Sequence, residues 1–65
     1  MKTAAKNYRT FENDDHIYQL DKIRDYFFQE VYFMVSDLIG DYCETFDNLE
    51  AAQKDFERIV KEATT

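Results

Sequence analysis

The sequence predicts an all-α fold: a helical hairpin of one long and one shorter helix, preceded by an N-terminal arm and completed by homodimerisation. Three observations lead there. With no proline and one glycine in 65 residues, the chain lacks the turn punctuation that short strands need. Apolar residues recur at spacings of three and four in two windows, 20–38 and 49–63. Asp47 followed three residues later by Glu50 has the form of a capping box.

Residues 1–13 read as a basic, partly ordered polar arm carrying Lys2, Lys6 and Arg9. Thr10, Asn13 or Asp14 can each cap the long helix at its start. That helix is expected over about residues 14–39. Its core seam is Leu20, Ile23, Phe27, Val31, Met34 and Leu38, which share one helical face. On local propensity alone the aromatic and β-branched window 27–35 reads as a strand. The helical spacing runs into that window from outside, and no strand partner with turn signals accompanies it, so helix is the expectation. Gly40 falls where a left-handed helix C-cap would stand, with the alternative that the helix continues to Cys43.

A turn over about residues 40–46 leads to a second helix over about 47–63. Leu49, Ala52, Phe56, Ile59 and Ala63 make its apolar face, with Val60 beside them. Glu50 with Lys54, and Glu57 with Lys61, stand in the favourable i, i+4 order on the solvated side.

One domain of this length buries only about 60% of its unfolded surface, so a small core needs a staple. Cys43 and His16 are each the only residue of their kind, which leaves no intrachain disulfide and no Cys/His zinc set. Oligomerisation remains. Eleven aromatic rings exceed what so small a core encloses. On the long helix, Phe28, Tyr32, Val35 and Ile39 lie a quarter-turn from the core seam and form the expected self-association surface, with cover by the arm through Tyr8 and Phe11 as the alternative.

Charge points to a partner. The net charge of −6 argues against direct nucleic-acid binding, which needs Lys and Arg to displace counterions. Residues 25–53 hold seven carboxylates and no Lys, Arg or His. On a helix, Tyr26, Glu30, Phe33 and Asp37 form an exposed aromatic and acidic stripe, extended by Asp41 and Glu44. Such a stripe suits a basic protein surface through area burial, cation–π contact and ion pairing.

Chemistry of other kinds finds little support. His16, without a second histidine, reads as a surface or capping residue rather than a ligand or proton shuttle, and Cys43 as a small apolar residue without an activating neighbour. No di-iron, calcium-loop or phosphate-loop pattern occurs. No catalytic residue, metal or cofactor is expected. The apolar window 26–39 is too short and too interrupted to cross a bilayer, and no secretory signal is read, so the expectation is a cytoplasmic protein, in host cytoplasm if viral.

The function expected from these features is that of a small acidic protein–protein interaction factor, an inhibitor or accessory protein. Phage and mobile-element proteins offer the analogy in size and charge. Two alternatives remain. Carboxylates repeating at about 6 Å along a helix would let Asp37, Asp41 and Glu44 imitate a phosphate run, or the chain is a structural subunit that assembles only with itself.

Overall fold

The computed structural model describes residues 3–65 and shows an antiparallel sheet with one C-terminal helix, not a helical hairpin. Lys2, expected in the basic arm, lies outside the described residues. The elements are β1 (Thr3–Glu12), β2 (Ile17–Asp25), β3 (Glu30–Asp37), β4 (Cys43–Phe46) and α1 (Leu49–Thr64). The strands form a meander in the order β1-β2-β3-β4, each antiparallel to the next. The expected all-α fold is thereby overturned. The arm 1–13 is mostly β1, the long helix 14–39 is a β-hairpin, and the turn 40–46 contains β4.

The turns are made without proline or positive-φ glycine, by Asn and Asp side chains that bind nearby backbone N–H groups. Between β1 and β2, Asn13 Oδ1 accepts from Asp15 N and His16 N, both at 2.8 Å, and Asn13 N donates to the His16 carbonyl at 3.0 Å. Asn13 is therefore a turn residue and not a helix cap. Between β2 and β3, Asp25 Oδ1 accepts from Phe27 N at 3.0 Å and Phe28 N at 3.2 Å, and Gln29 takes φ 55°. That left-handed conformation is one that non-glycine residues adopt at a cost.

Alternation along the paired strands assigns each residue to a face. Register places Tyr18, Leu20, Lys22 and Arg24 of β2 beside Asp37, Val35, Phe33 and Val31 of β3. This face receives α1 at one end: Tyr18, Leu20, Val35, Ala52, Phe56 and Ile59 form the buried cluster, with Phe11, Phe33, Tyr42, Phe46, Leu49, Val60 and Ala63 packed around it. The opposite face is open, and on it Ile23, register-paired with Ala5 and Tyr32, is the one buried hydrophobic side chain among the described residues. The apparent helical seam therefore mixed both faces: Leu20 and Val31 belong to one, Ile23 and Met34 to the other, and Phe27 and Leu38 to turns.

The second predicted helix is present, as α1. Its N-cap is Asn48, whose Oδ1 accepts from Ala51 N at 2.8 Å, rather than Asp47 with Glu50. Its apolar residues Leu49, Ala52, Phe56, Ile59, Val60 and Ala63 all meet the sheet or its loops. Arg9 joins β1 to the helix, with Nη1 at 3.2 Å from Glu57 Oε2 and its guanidinium 4.9 Å from the Phe56 ring centre. Glu57 is thus engaged by Arg9. Tyr42 ties the β3–β4 loop to the helix: its hydroxyl donates to Asp55, and Arg58 bridges both groups at 3.1 and 2.7 Å. Burial and that bond to Asp55 push the Tyr42 phenol up to about 12.

Helix and sheet differ in length, and this positions the rest. Sixteen helical residues span about 24 Å, ten strand residues about 33 Å, and the molecule is 40 Å long. One end of the sheet therefore extends beyond the helix. There, none of residues 3–7, 21–25 and 30–32 belongs to the cluster that packs under α1.

Candidate functional site

Exposed apolar side chains concentrate on this projecting end. Phe27 is 78% exposed, Phe28 66% and Tyr26 60%, and Val31 follows at the start of β3. The Asp25 side chain holds the backbone N–H groups of Phe27 and Phe28, so both rings are carried on an ordered turn. They stand edge to face, 4.9 Å apart at 87°. Tyr26, Phe27, Phe28 and Val31 are thus four exposed apolar side chains close together in sequence, and clustered exposed apolar side chains mark interaction surfaces.

Behind the turn the projecting sheet has two chemically different faces. On the side that α1 occupies further along, register places Ala4, Lys6, Lys22, Arg24 and Val31. Lys6 and Lys22 are direct cross-strand partners, and Arg24 stands two residues along from Lys22. Tyr8, at the β-bulge between Asn7 and Arg9, lies edge-on to Phe33 at 6.1 Å, with Lys6 Nζ 5.6 Å from its ring centre. Arg24 is 5.9 Å from the Tyr26 ring. This forms a ledge of cations and rings. The other face carries Asp21, Asp25 and Glu30; Asp21 is buried and accepts from Asn7 Nδ2 at 2.9 Å.

Two depressions open here. One of about 340 Å³ is lined by Arg24, Asp25, Tyr26, Gln29, Glu30 and Val31. The other, about 200 Å³, is lined by Ala4, Ala5, Lys6, Lys22 and Arg24.

No family model matches the chain, and no curated protein or solved structure matches it.

At the opposite end of the sheet, Asp37 organises both connecting loops. It is 7% exposed and accepts from Ile17 N at 3.2 Å and Ile39 N at 3.0 Å, while His16 Nδ1 lies 2.7 Å from Oδ2. A carboxylate only accepts, so Nδ1 carries the shared hydrogen. Burial pushes the Asp37 carboxyl up, but hydrogen bonds from His16, Ile39, Ile17 and Gly40 outweigh it and hold the group at about 2. Gly40 has no positive φ, so it is not a left-handed cap. A Cβ there would stand 2.7 Å from Asp37 Oδ2, and the glycine is explained by that close approach. The His16 ring stacks on Tyr18 at 4.9 Å. Cys43 is not part of the pair: it is register-paired with Ser36 in the ladder and is exposed.

The residues expected to form one docking stripe are separated by this fold. Tyr26 is at the hairpin turn and Glu30 on the open face beside it; Phe33 packs against the core; Asp37 is buried; Asp41 is in the β3–β4 loop and Glu44 on β4. The regular helical ladder of Asp37, Asp41 and Glu44 is absent because the segment is not helical. The expected self-association set is divided too. Phe28 is at the turn, Tyr32 half-buried on the open face, Val35 completely buried and Ile39 exposed at the far loop.

Sequence reasoning missed Lys22 and Arg24 as site residues, and it left Lys6 in a separate arm. Residues 16 and 18 positions apart in the chain meet only through strand pairing. Among the described residues no group of three or more His, Cys, Asp or Glu side chains converges as a metal site, and no helix is long and apolar enough to cross a membrane.

Proposed function

We propose that this chain is a non-catalytic protein-binding module, an inhibitor or accessory factor, that engages another protein through the projecting β2–β3 hairpin. The observation that carries this reading is the exposure of Phe27 and Phe28 together with Tyr26 and Val31, at the end where the sheet outruns its helix. Aromatic side chains on a fixed turn lose little conformational freedom when buried by a partner, so they favour its binding. The occupant is a protein surface with an apolar cleft.

A second copy of the chain fits this surface less well. A two-fold interface sets a patch against itself, and one centred on the ledge would bring one Lys6, Lys22 and Arg24 cluster onto another. Pairing along the free edge of β1 is opposed by its bulge at Tyr8 and by its cations Lys6 and Arg9.

Variants test the assignment. Phe27→Ser with Phe28→Ser is expected to weaken capture of a protein partner, isolated by co-purification with the native chain, by about a hundredfold to a thousandfold, since each such anchor contributes roughly 2 kcal/mol. Far-ultraviolet circular dichroism and thermal midpoint should stay near wild type, because neither ring is buried. Leu38→Ser with Ile39→Ser, at the opposite end and also open to solvent, should leave capture intact. The reverse pattern would move the binding surface to the β3–β4 loop.

A further inference from the structure

We infer that the ledge of Lys6, Lys22 and Arg24 is an anion-binding site that takes carboxylates from an acidic segment of the partner protein, next to the cleft that receives the hairpin rings. This rests on the reading of the hairpin as the docking element and adds the chemistry of its partner.

Lys6 and Lys22 are directly opposed across β1 and β2, with backbones about 5 Å apart, and like charges so placed destabilise a sheet. Arg24 adds a third cation on the same face, one strand alternation away. None of the three is ion-paired among the described residues; of the four other Lys and Arg there, Arg9, Lys54 and Arg58 have carboxylate partners and Lys61 has none. Lys22 is also half-buried.

The nearest carboxylates do not neutralise the cluster. Asp25 is committed to its turn and Asp21 to Asn7, and by register both belong with Glu30 to the opposite face; Asp25 and Glu30 border the first depression with Arg24, but among the described residues neither is ion-paired to it. The chain has fourteen acidic residues against eight Lys and Arg, yet none stands by register on this ledge. A bound anion removes the repulsion, so its binding is favoured beyond the contacts it makes.

The surroundings select the kind of anion. Ala4 leaves the floor low between the cations, and the second depression, about 200 Å³, has room for a carboxylate-bearing side chain. Tyr8, Tyr26, Phe33 and Val31 border the cations with apolar surface. A protein segment that mixes carboxylates with apolar side chains matches both. Nucleic acid matches less well: three cations displace few counterions, and the remainder of the chain repels a polyanion at long range. The paired edge-on rings Phe27 and Phe28 also do not offer two parallel faces for base stacking.

The test is a titration of the full chain, followed by backbone amide chemical shifts, with hexaaspartate, hexalysine and an oligothymidylate. Hexaaspartate should shift residues around Lys6, Lys22 and Arg24, and added salt should reverse the effect. Hexalysine should not shift them. Lys22→Gln should weaken hexaaspartate binding about two- to fivefold. The same substitution should raise the thermal midpoint of the free protein by about 2–5 °C, because it removes the opposed charge.

Absence of hexaaspartate binding, a stronger response to oligothymidylate, or a lower midpoint for Lys22→Gln would each overturn the inference. Phe27→Ser with Phe28→Ser should retain hexaaspartate binding while losing the partner. Failure of the ledge and failure of the hairpin reading are thus seen in separate measurements.

Discussion

Phe56→Ala is expected to leave about half of the molecules unfolded at room temperature. Phe56 is 2% exposed and is the largest fully buried side chain, set between Leu20 and Val35 of the sheet and Ala52 and Ile59 of its own helix. Truncating a buried phenylalanine costs about 3–5 kcal/mol. A single core in a chain of this size rarely supplies more than about 3–5 kcal/mol in total. Cost and reserve are equal, so the helix loses its anchor on the sheet and Arg9 loses the ring it packs against. Phe56→Leu keeps most of the volume and should cost less than about 1.5 kcal/mol. Thermal unfolding of the two variants by circular dichroism checks both numbers. A well-folded alanine variant would mean that the helix contributes little to holding the sheet.

Asp37→Ala should lower the thermal midpoint by about 10 °C, by removing the acceptor of part-buried backbone donors in two loops at once. The N–H groups of Ile17 and Ile39 and the His16 ring lose their acceptor together. Asp37→Asn retains one acceptor oxygen and should fall between. The pH dependence has a definite sign. The folded-state carboxyl titrates at about 2, below its ordinary 3.8, so the unfolded chain takes up the proton first as pH falls. The stability this group contributes is fully present above about pH 4 and is lost as pH falls towards about 2. The slope of midpoint against pH in that window should therefore be shallower for Asp37→Asn than for wild type.

Some of this fold was legible in the sequence. The amphipathic face of α1, from Leu49 to Ala63, was written in unbroken helical spacing, because a helix packed on one side obeys a single period. The sheet was hidden for a physical reason: β2 buries residues on both faces, Leu20 under the helix and Ile23 on the open side, so its apolar pattern passes for a spacing of three. The covered face also includes Lys22, Arg24 and Asp37, which break the alternation that marks a strand. Turn chemistry carried the better signal. Asn13 and Asp25 supply the side-chain acceptors that close the two hairpins, and glycine and proline were not needed. The strand propensity of residues 27–35 pointed correctly to β3.

The site was legible in residue type and not in arrangement. An excess of exposed aromatic rings was foreseen, and Tyr26 and Phe28 were among the candidates. Their charged neighbours changed sign once strands replaced the helix. On a helix, Glu30 and Asp37 would have flanked Tyr26 and Phe33. In the sheet, Arg24 lies beside Tyr26, while Lys6 is brought from the arm to face Lys22. The acidity remains dominant in sum, but it is displaced from the covered-side face of the projecting end.

Amide hydrogen exchange of the full chain, free and in complex with its co-purifying partner, tests the hairpin assignment most directly. Residues 3–8 and 22–32 should gain protection on binding, with the largest gain at the Tyr26–Gln29 turn, where the free chain has no ladder hydrogen bonds to slow exchange. Residues 38–42 should be unchanged. Protection confined to residues 38–42, or to the solvent face of α1, would contradict the assignment of the hairpin end as the binding surface.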